Sequence, residues 1–323
     1  MSLFNFAKSI KKEGHILGQF PVAFLSYDEP NADQHWDHLR KNRPGNLLQR
    51  VHKVKGFDAA HKAAAAAFSN ASHVITVDAD NLVDLNFFNL HLHANIELPI
   101  SYSWNGYQHT NGLVYGNGGI KLWNRQHLET MRSHEAADNK RDAVDFCWDG
   151  IQYKTLSGCW STTFTNASAY QAFRVGFREG VKLSMDQGNV VPFDQWTARI
   201  HGANFQRLLT WMTVGADVDN GAWTIYGARL AVKLLQYDDW DPIHIRDYEW
   251  FEDFFKNHSK LDPVKANLEL SKPLSAGLGF TLPEFSAEHS AIVKRMQFHA
   301  NKELTDKDVK AQTNLKFYGW FNE

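Results

Sequence analysis

The hydrophobic positions of the chain fall mainly into short continuous runs. Residues 20–26 (FPVAFLS) and residues 74–77 (VITV) are two such runs, and both are followed by polar residues. Runs of this length are typical of parallel strands that are buried on both faces. Between them, residues 48–54 predict another strand, and the alanine-rich residues 58–69 predict a helix with Asp58 at its N-terminus. This order predicts an open α/β sheet, in which ligands bind beyond the carboxyl ends of the strands.

Further along the chain the hydrophobic pattern predicts mainly helices, and the composition changes at about residue 236. Residues 168–183 are amphipathic, with Phe173 and Phe177 at a spacing of four, and predict a long helix. Shorter patterns predict helices at 34–39, 205–212, 222–235 and 287–301, and strands at 101–104 and 119–123. From about residue 236 the chain is acidic and aromatic. We therefore predict an N-terminal arm (1–18), an α/β domain (19–235) and a mainly helical C-terminal extension (236–323).

Composition and charge exclude several classes of protein. Of the 323 residues, 43% are hydrophobic and 22% are charged, as is typical of a globular chain with a substantial core. The formal net charge of -2 excludes a generally basic nucleic-acid-binding protein, although a local basic patch is compatible with it. The two cysteines, Cys147 and Cys159, exclude a disulfide scaffold and a thiolate zinc cluster. Without an export signal or a run of about 20 apolar residues, we expect a soluble cytoplasmic protein.

The strongest candidate for chemistry is the sequence DADN at residues 78–81, directly after an apolar run. Two carboxylates one residue apart can hold a hard divalent cation from one side, which leaves the other side to diphosphate oxygens. An EF-hand loop begins in the same way, but it needs glycine and glutamate where this chain has Val83 and Asn89. A plain acidic turn is the remaining alternative.

Four blocks around this motif resemble, in the same order, the motifs of nucleotide-sugar glycosyltransferases of the GT-A fold and the family-2 type. The blocks are LSYDE at residues 25–29, GFDAAHK at 56–62, DADN at 78–81 and NGGIKLWNR at 117–125. The resemblance implies a single Rossmann-like mixed sheet flanked by helices. It also implies a Mn²⁺ or Mg²⁺ ion bound by Asp78 and Asp80, and a UDP-sugar donor whose nucleoside contacts the first block.

Two later blocks extend the resemblance with differences from the family pattern. The sequence FREGVKL at residues 177–183 lies where the family has an E-D-x-x-L helix that supplies the catalytic base. Glu179 is therefore the first candidate base, although Gly180 replaces the aspartate of the pattern. His201 lies where the family has a strand that ends in a metal-binding histidine, so it is the candidate third ligand.

The base has other candidates as well. A hydroxymethyl acceptor is a poor nucleophile until a carboxylate takes its proton, a contribution of about 10²–10⁴ in rate. Asp149 and Asp145 are further candidates for this role, and they can equally belong to an ordinary loop. Glu179 itself can instead form a structural ion pair with Arg174 or Arg178.

A narrower resemblance covers most of residues 22–235. The strings FLSYDEPNAD, RVHKVKGFDAAHKAAA, NGLVYGNGGIKLW, VDFCW, FREGVKL and WMTVGADVDNGAWTIYGARL are similar to phage and protist glycosyltransferases associated with thymine and cytosine hydroxylases, the group that includes the base-J glucosyltransferase type. This resemblance implies transfer of a sugar to the hydroxymethyl group of 5-hydroxymethylcytosine or 5-hydroxymethyluracil in DNA, with inversion at the sugar carbon. A phage origin would place the protein in the host-cell cytoplasm.

The donor site predicted from these blocks combines nucleoside contacts, metal ligands and cations that offset the charge of a leaving diphosphate. Its residues are Ser26, Tyr27, Asp28, Glu29, Lys55, Asp58, Lys62, Asp78, Asp80 and Arg207, with His201 as the third metal ligand. Two of these have plain alternatives. Lys62 can be a solvated helix residue, and Tyr27 can be a core aromatic with a satisfied hydroxyl.

A DNA acceptor requires phosphate contacts and a surface that holds an unstacked base. Residues 38–57 contain six basic and no acidic residues, namely Arg40, Lys41, Arg43, Arg50, Lys53 and Lys55. The aromatic candidates near the acceptor-side blocks are Trp104, Tyr107, Tyr115, Trp123 and Trp148. Both features also have ordinary explanations, as a solvated face and as core packing.

Three alternatives follow from changing one assumption at a time. The acceptor can be a glycan or a small molecule, which the near-neutral charge favours. A sugar nucleotidyltransferase uses a related sheet, but it usually has a glycine-rich basic loop where this chain has YDEPNAD. A non-catalytic binding module would have no need for Asp78, Asp80 and Glu179 together.

Overall fold

A computed structural model describes residues 14–92, 100–115, 119–136, 152–283 and 286–297. Its centre is a mixed sheet of seven strands. In chain order these strands are β1 (Val22–Ser26), β2 (Leu48–His52), β3 (His73–Asp78), β4 (Asn81–Val83), β5 (Ile100–Gln108), β6 (Ile120–Asn124) and β7 (Gln152–Thr163). The predicted α/β class is confirmed, and so are the strands expected from the two continuous apolar runs.

The parallel strands gather at one side of the sheet. The strands lie in the order β2-β1-β3-β6-β5-β7-β4. β1 is parallel to both β2 and β3, whereas β6 runs antiparallel between β3 and β5. β7 is parallel to β5 and antiparallel to β4. Because the carboxyl ends of β1, β2 and β3 point to the same edge, the loops that follow them meet there.

The sheet is curled, as the positions of two strands that are consecutive in the chain show. Only Ala79 and Asp80 separate β3 from β4, yet three strands lie between them in the sheet. β7 changes its register against β5 at Asn105, close to Gly158, whose φ is 93°. A glycine adopts this backbone conformation readily, which helps a long strand to bend. The loop that carries the second aspartate therefore connects the parallel strands to the far edge of the curl.

Helices cover the sheet and form most of the chain after β7. They are α1 (Ala32–Arg40), α2 (Phe57–Ala67), α3 (Arg125–Thr130), α4 (Ala169–Leu183), α5 (Trp196–Arg199), α6 (Gly202–Thr213), α7 (Gly221–Tyr237), α8 (Tyr248–His258) and α9 (Pro263–Leu278), and residues 287–297 are also helical. α4 begins where the sequence predicted, because the Ser168 side chain accepts a hydrogen bond from the Gln171 N–H (3.1 Å). None of the helices in the described residues has the length and apolarity that crossing a membrane requires.

α4 and α7 pack closely because glycines face the backbone of the partner helix. A Cβ atom on Gly176 would lie 1.9 Å from the carbonyl oxygen of Thr224, and Gly227 makes a similar approach from α7. Aromatic rings surround this pair, and Phe177 meets Phe251 of α8 edge-on at a centroid distance of 5.6 Å. One aromatic core therefore joins α4, α7 and α8.

The C-terminal extension shares a core with the helices before it. The boundary predicted at residue 235 falls within α7. Arg229 of this helix is fully buried and donates to the carbonyl oxygens of Met212 (2.8 Å) and Asn267 (2.9 Å). Burial lowers the pKa of Arg229 to about 10. These bonds tie α6, α7 and α9 into one unit that runs across the predicted boundary.

The N-terminal arm is described only at its end. His15–Ile16 forms a short antiparallel pair with His91–Leu92, and Leu17 donates its N–H to the carbonyl oxygen of Leu90 (2.9 Å). Residues 1–13 lie outside the described residues. The described end of the arm is thus a short strand followed by one turn of 3₁₀-helix, Leu17–Gln19.

Candidate functional site

The acidic motif lies at the carboxyl edge of the parallel strands, where the sequence placed it. Asp78 ends β3, and its N–H donates to the carbonyl oxygen of Gly119 (2.9 Å). Its carboxylate lies 3.6 Å from the ammonium nitrogen of Lys121 on β6, a side chain only 4% exposed. Asp28 and Glu29 follow β1, the strand next to β3. The structure therefore brings the two predicted acidic segments to one edge of the sheet.

Asp80 is the most perturbed carboxylate at this edge. Burial raises its pKa to about 7, and the negative charges of Asp78 and Glu29 add to the shift. The Asn81 amide and the Lys121 ammonium act in the opposite direction. Burial also raises the pKa of Glu29, and Asp78 is among the charges that contribute. Ionisation of Asp80 is thus opposed by both burial and neighbouring charge, which a bound cation would offset.

The residues fit a divalent cation that is held from one side. Asp78 and Asp80 offer carboxylate oxygens, the ligands that Mg²⁺ and Mn²⁺ prefer. Across the parts of the chain that the structure describes, no set of three or more His, Cys, Asp and Glu side chains is placed to hold a metal ion. The further ligands would therefore be oxygen atoms of a substrate or of water, as the sequence predicted for a diphosphate.

Asn81 fixes the end of the acidic loop from inside the sheet. Its amide nitrogen donates to Oδ1 of Asp80 (2.7 Å), and its amide oxygen accepts from the hydroxyls of Ser161 and Thr163 on β7 (both 2.9 Å). Gly119 is required beside it, because a Cβ atom there would lie 2.2 Å from the Asn81 amide nitrogen. Strands β6 and β7 thus set the position of the Asp80 carboxylate before any ligand binds.

The pKa of Asp80 gives a testable dependence of stability on pH. The folded protein keeps a proton on Asp80 up to about pH 7, whereas the unfolded chain releases it near pH 3.8. The contribution of this group to the free energy of unfolding therefore falls as the pH rises from about 4 to about 7. Relative to Asp80→Asn, we expect wild type to lose on the order of 2–4 kcal/mol over this range in urea titrations with EDTA.

The comparison with Asp80→Asn is needed because His61 acts with the opposite sign. This buried ring stacks on Phe57 at a centroid distance of 4.1 Å, and burial lowers the pKa of His61 to about 4. Its contribution to stability is lost as the pH falls from 6.5 to about 4. Excess Mn²⁺ at pH 8 is expected to restore the stability of wild type but not of Asp80→Asn. Parallel pH profiles of the two proteins would contradict the assignment of a raised pKa to Asp80.

Two predicted donor residues lie near the acidic loop and are open to a ligand. The Tyr27 side chain is 42% exposed, so it is not a core aromatic, and its N–H donates to Oε2 of Glu29 (2.8 Å). Lys55 is exposed and forms an ion pair with Glu249 of α8 (2.5 Å). The start of α8, in the C-terminal extension, therefore lies next to the predicted donor site.

Three other predicted donor residues have different surroundings. The hydroxyl of Ser26 accepts from Nε of Arg50 (2.8 Å). The Asp58 carboxylate accepts from the N–H of Ser133 (3.0 Å) and so joins the start of α2 to the segment after α3. Lys62 is exposed on α2, as its solvated alternative predicted. Their assignment to the donor site stays a prediction that these contacts do not strengthen.

Glu179 lies in a second polar group on α4. The hydroxyl of Tyr115 donates to Oε2 of Glu179 and accepts from Nε1 of Trp211 (2.8 Å), while Lys182 donates to Oε1 (3.2 Å). The Arg207 guanidinium lies 4.4 Å from the centre of the Tyr115 ring. Burial and the charge of Glu179 raise the pKa of Tyr115 well above its usual value, so Tyr115 remains a donor. The structure thus brings the candidate base and Arg207 together through Tyr115.

His201 is an exposed residue at the start of α6. Its ring nitrogen Nδ1 accepts from the N–H of Ala203 (3.2 Å), which caps the helix. The strand that the resemblance implied before His201 is wrong, because the short helix α5 and a turn precede it. Within the described residues, His201 does not form a three-ligand group with Asp78 and Asp80.

Most of the predicted aromatic and acidic candidates of the acceptor side lie either in the core or outside the described residues. Trp104 and Trp123 are fully buried core residues, at 3% and 0% exposure. Asp149, Asp145 and Trp148 lie outside the described residues. Tyr107 on β5 is half-buried, and the Tyr115 hydroxyl donates to Glu179, so the acceptor-side predictions depend on Glu179 and these two tyrosines.

The basic window at residues 38–57 is used largely within the fold. Arg43 is buried and donates to two backbone carbonyl oxygens (2.9 and 2.8 Å). Arg40, Arg50 and Lys55 form ion pairs with acidic side chains. Arg43 is thus unavailable to a phosphate, whereas the ion pairs of Arg40 and Lys55 lie at the surface and leave these cations accessible.

Lys121 was not predicted as part of the acidic edge, and two arginines of α4 were given only one interpretation. Lys121 lies within the apolar strand IKLWN, and a single lysine in a buried strand is itself a signal of a charged partner. Arg174 and Arg178 were considered only as partners of Glu179, although their spacing of four places both on one face of α4.

The resemblance to a known family rests on the sequence motifs quoted above. No protein-family model matches the chain, and no curated protein sequence matches it.

Proposed function

We propose that the chain is a metal-dependent glycosyltransferase that moves a sugar from a UDP-sugar to the hydroxymethyl group of 5-hydroxymethylcytosine or 5-hydroxymethyluracil in DNA. The observation that carries this proposal is the acidic edge, where Asp78 ends β3 and the partly buried Asp80 follows two residues later. The pKa of Asp80, raised to about 7, indicates a carboxylate whose ionisation a cation would favour. The resemblance of the sequence blocks to family-2 enzymes supplies the reaction.

The arrangement of the sheet supports a GT-A-type fold. Three parallel strands are followed by the antiparallel β6, and the metal motif directly follows β3. The loops after β1 and β3 meet at the carboxyl edge, which is where open α/β sheets bind nucleotides. The same edge carries an exposed aromatic ring, Tyr27, that a nucleobase can stack on.

Different side chains would bind the metal and accept the proton of the acceptor. A bound Mn²⁺ or Mg²⁺ supplies Lewis-acid stabilisation of a diphosphate leaving group. Asp78 and Asp80 would hold that ion, and the Asn81 amide fixes the orientation of the Asp80 carboxylate. Glu179 would accept the proton of the hydroxymethyl group, with Tyr115 and Lys182 fixing the orientation of its carboxylate. Attack from the face opposite the diphosphate gives the inversion that the resemblance implies.

A second candidate keeps this chemistry and changes the acceptor to a glycan or a small molecule. The internal pairing of Arg43 and Arg50 favours it, because a duplex requires many free cations at its phosphates. The strings shared with the hydroxylase-associated enzymes favour the DNA acceptor.

Mass spectrometry of nucleosides separates the two acceptors. We expect that hydroxymethylated DNA, incubated with Mn²⁺ and a panel of UDP-sugars, yields a hydroxymethylpyrimidine nucleoside that carries an added hexose or pentose. UDP-sugar hydrolysis without any modified nucleoside would favour the glycan or small-molecule acceptor. Neither transfer nor hydrolysis with any donor would contradict the glycosyltransferase proposal. In the same assay Glu179→Gln tests the base, since it should bind donor but lose transfer.

A further inference from the structure

Part of the hydrogen-bonding capacity of Arg174 on α4 is not used among the described residues. Its Nε and Nη2 atoms are buried and have no hydrogen-bond partner there, while a hydrogen bond from the same guanidinium lowers the pKa of Tyr248. Its guanidinium stacks on the ring of Tyr248, with Cζ 3.8 Å from the ring centroid. A buried guanidinium N–H without an acceptor is unfavourable, so its retention suggests a ligand that supplies the acceptor.

The position of this guanidinium relative to the acidic edge follows from its neighbours. Arg174 and then Arg178 lower the pKa of Tyr248, while Glu29 acts on the same phenol in the opposite direction. Tyr248 is therefore close to Arg174 and within reach of the charges of Arg178 and of Glu29 in the loop after β1. The ion pair between Lys55 and Glu249 independently holds this end of α8 against the segment after β2.

A second tyrosine, Tyr170, is also affected by the charge of Arg174. Burial raises the pKa of Tyr170 to about 12, with Arg174 opposing the shift and Asp28 adding to it. Arg174 and Asp28 thus both act on the Tyr170 hydroxyl. Asp78 and Asp80 belong to the same acidic edge as Glu29, because the charges of these three carboxylates act on one another.

This distribution of charge selects the ligand. Carboxylates on one side repel a free anion, but they attract an anion that arrives with a divalent cation. Guanidinium groups on the other side suit phosphate oxygens, which accept two parallel N–H bonds from one arginine. A metal-chelated diphosphate satisfies both sides, and a lone phosphate monoester would span them less well.

We propose that Arg174 and Arg178 of α4 bind the diphosphate of the nucleotide donor from the side opposite the metal carboxylates, with Tyr248 of the C-terminal extension holding the Arg174 guanidinium in place. The proposal rests on the proposed function, because it assigns residues to the same donor site. It also gives the extension a direct part in donor binding.

Calorimetric titration of the full chain with UDP, uridine and inorganic pyrophosphate, each with Mn²⁺, tests this inference. We expect Arg174→Ala to raise the Kd for UDP by between about tenfold and a hundredfold, the loss of one or two charge-assisted hydrogen bonds. Uridine binding should be unchanged, because uridine has no diphosphate. Arg174→Lys keeps the charge and should give an intermediate loss, and Arg40→Ala, an exposed arginine on α1, is the matched control.

The outcomes separate this inference from the proposed function. Tight UDP binding that is equal in wild type, Arg174→Ala and Arg178→Ala would overturn the inference and leave the proposed function standing. Pyrophosphate binding that depends on Arg174, without UDP binding, would support the diphosphate site and contradict the UDP-sugar donor. A wild type that binds neither UDP nor pyrophosphate would overturn both. Circular dichroism of each variant shows whether a loss of binding reflects a loss of fold.

Discussion

Asp80→Asn is expected to reduce Mn²⁺-dependent sugar transfer by about a thousandfold while leaving the protein folded. The substitution keeps the shape of the side chain and its contact with the Asn81 amide, but it removes the negative charge that would hold the metal. Loss of one preorganised electrostatic group at a reacting centre typically costs a factor of about 10²–10³, and a metal contributes several kcal/mol more. Initial rates with a UDP-sugar over a range of Mn²⁺ concentrations give the measurement.

Asp37→Asn is the matched control for this experiment. Asp37 is an exposed aspartate on α1 that pairs with Arg40 (3.0 Å) at the surface, so its loss is expected to leave the rate unchanged. An Asp80→Asn protein that retains full activity at every Mn²⁺ concentration would contradict the metal assignment. A rate that recovers only at high Mn²⁺ would instead assign Asp80 to metal affinity and leave the chemical step to other residues.

Gly176→Ala is expected to lower the free energy of unfolding by about 3 kcal/mol. The added methyl group would lie 1.9 Å from the carbonyl oxygen of Thr224, and backbone atoms on both helices cannot move aside independently. α4 and α7 must therefore separate, which opens the aromatic core around Phe177. Chemical denaturation followed by circular dichroism measures the effect.

Gly202→Ala provides the control for Gly176→Ala. A Cβ atom on Gly202, the first residue of α6, would meet no atom within 4 Å, so we expect a change within about 0.5 kcal/mol. Because α4 carries Arg174, Arg178 and Glu179, Gly176→Ala should also weaken UDP binding at temperatures where the protein is still folded. Equal stability of the two alanine variants would show that the helices can shift without cost.

The elements with strong local signals were predictable from the sequence. β1 and β3 are continuous apolar runs, and the predicted strands match the observed ones within two residues. α4 has both an amphipathic pattern and a serine cap, and its start was predicted correctly. The acidic edge was predictable for a topological reason, because residues that follow parallel strands gather at one edge whatever the details of the helices.

The parts that were not predictable depend on contacts between distant residues. The pairing of β7 with β4 has no local signal, since Asn81 and Thr163 meet only when the sheet curls. The environment of His201 is set by α5 and α6 packing before and after it, and a motif position alone does not reveal a helix cap. The Arg174 nitrogens that lack a partner among the described residues can be recognised only once the helices around them have been placed.

The contacts of Asn81 have a consequence for the order of events during synthesis. The two hydroxyls that donate hydrogen bonds to its amide oxygen belong to Ser161 and Thr163, which are 80 and 82 residues further along the chain. The Asp-x-Asp segment therefore leaves the ribosome long before β7 can hold it in place. A nascent chain that ends before residue 161 contains both aspartates proposed to bind the metal but lacks the hydroxyls that fix the Asn81 amide. Competence to bind the metal should thus appear late in translation, as a step and not gradually.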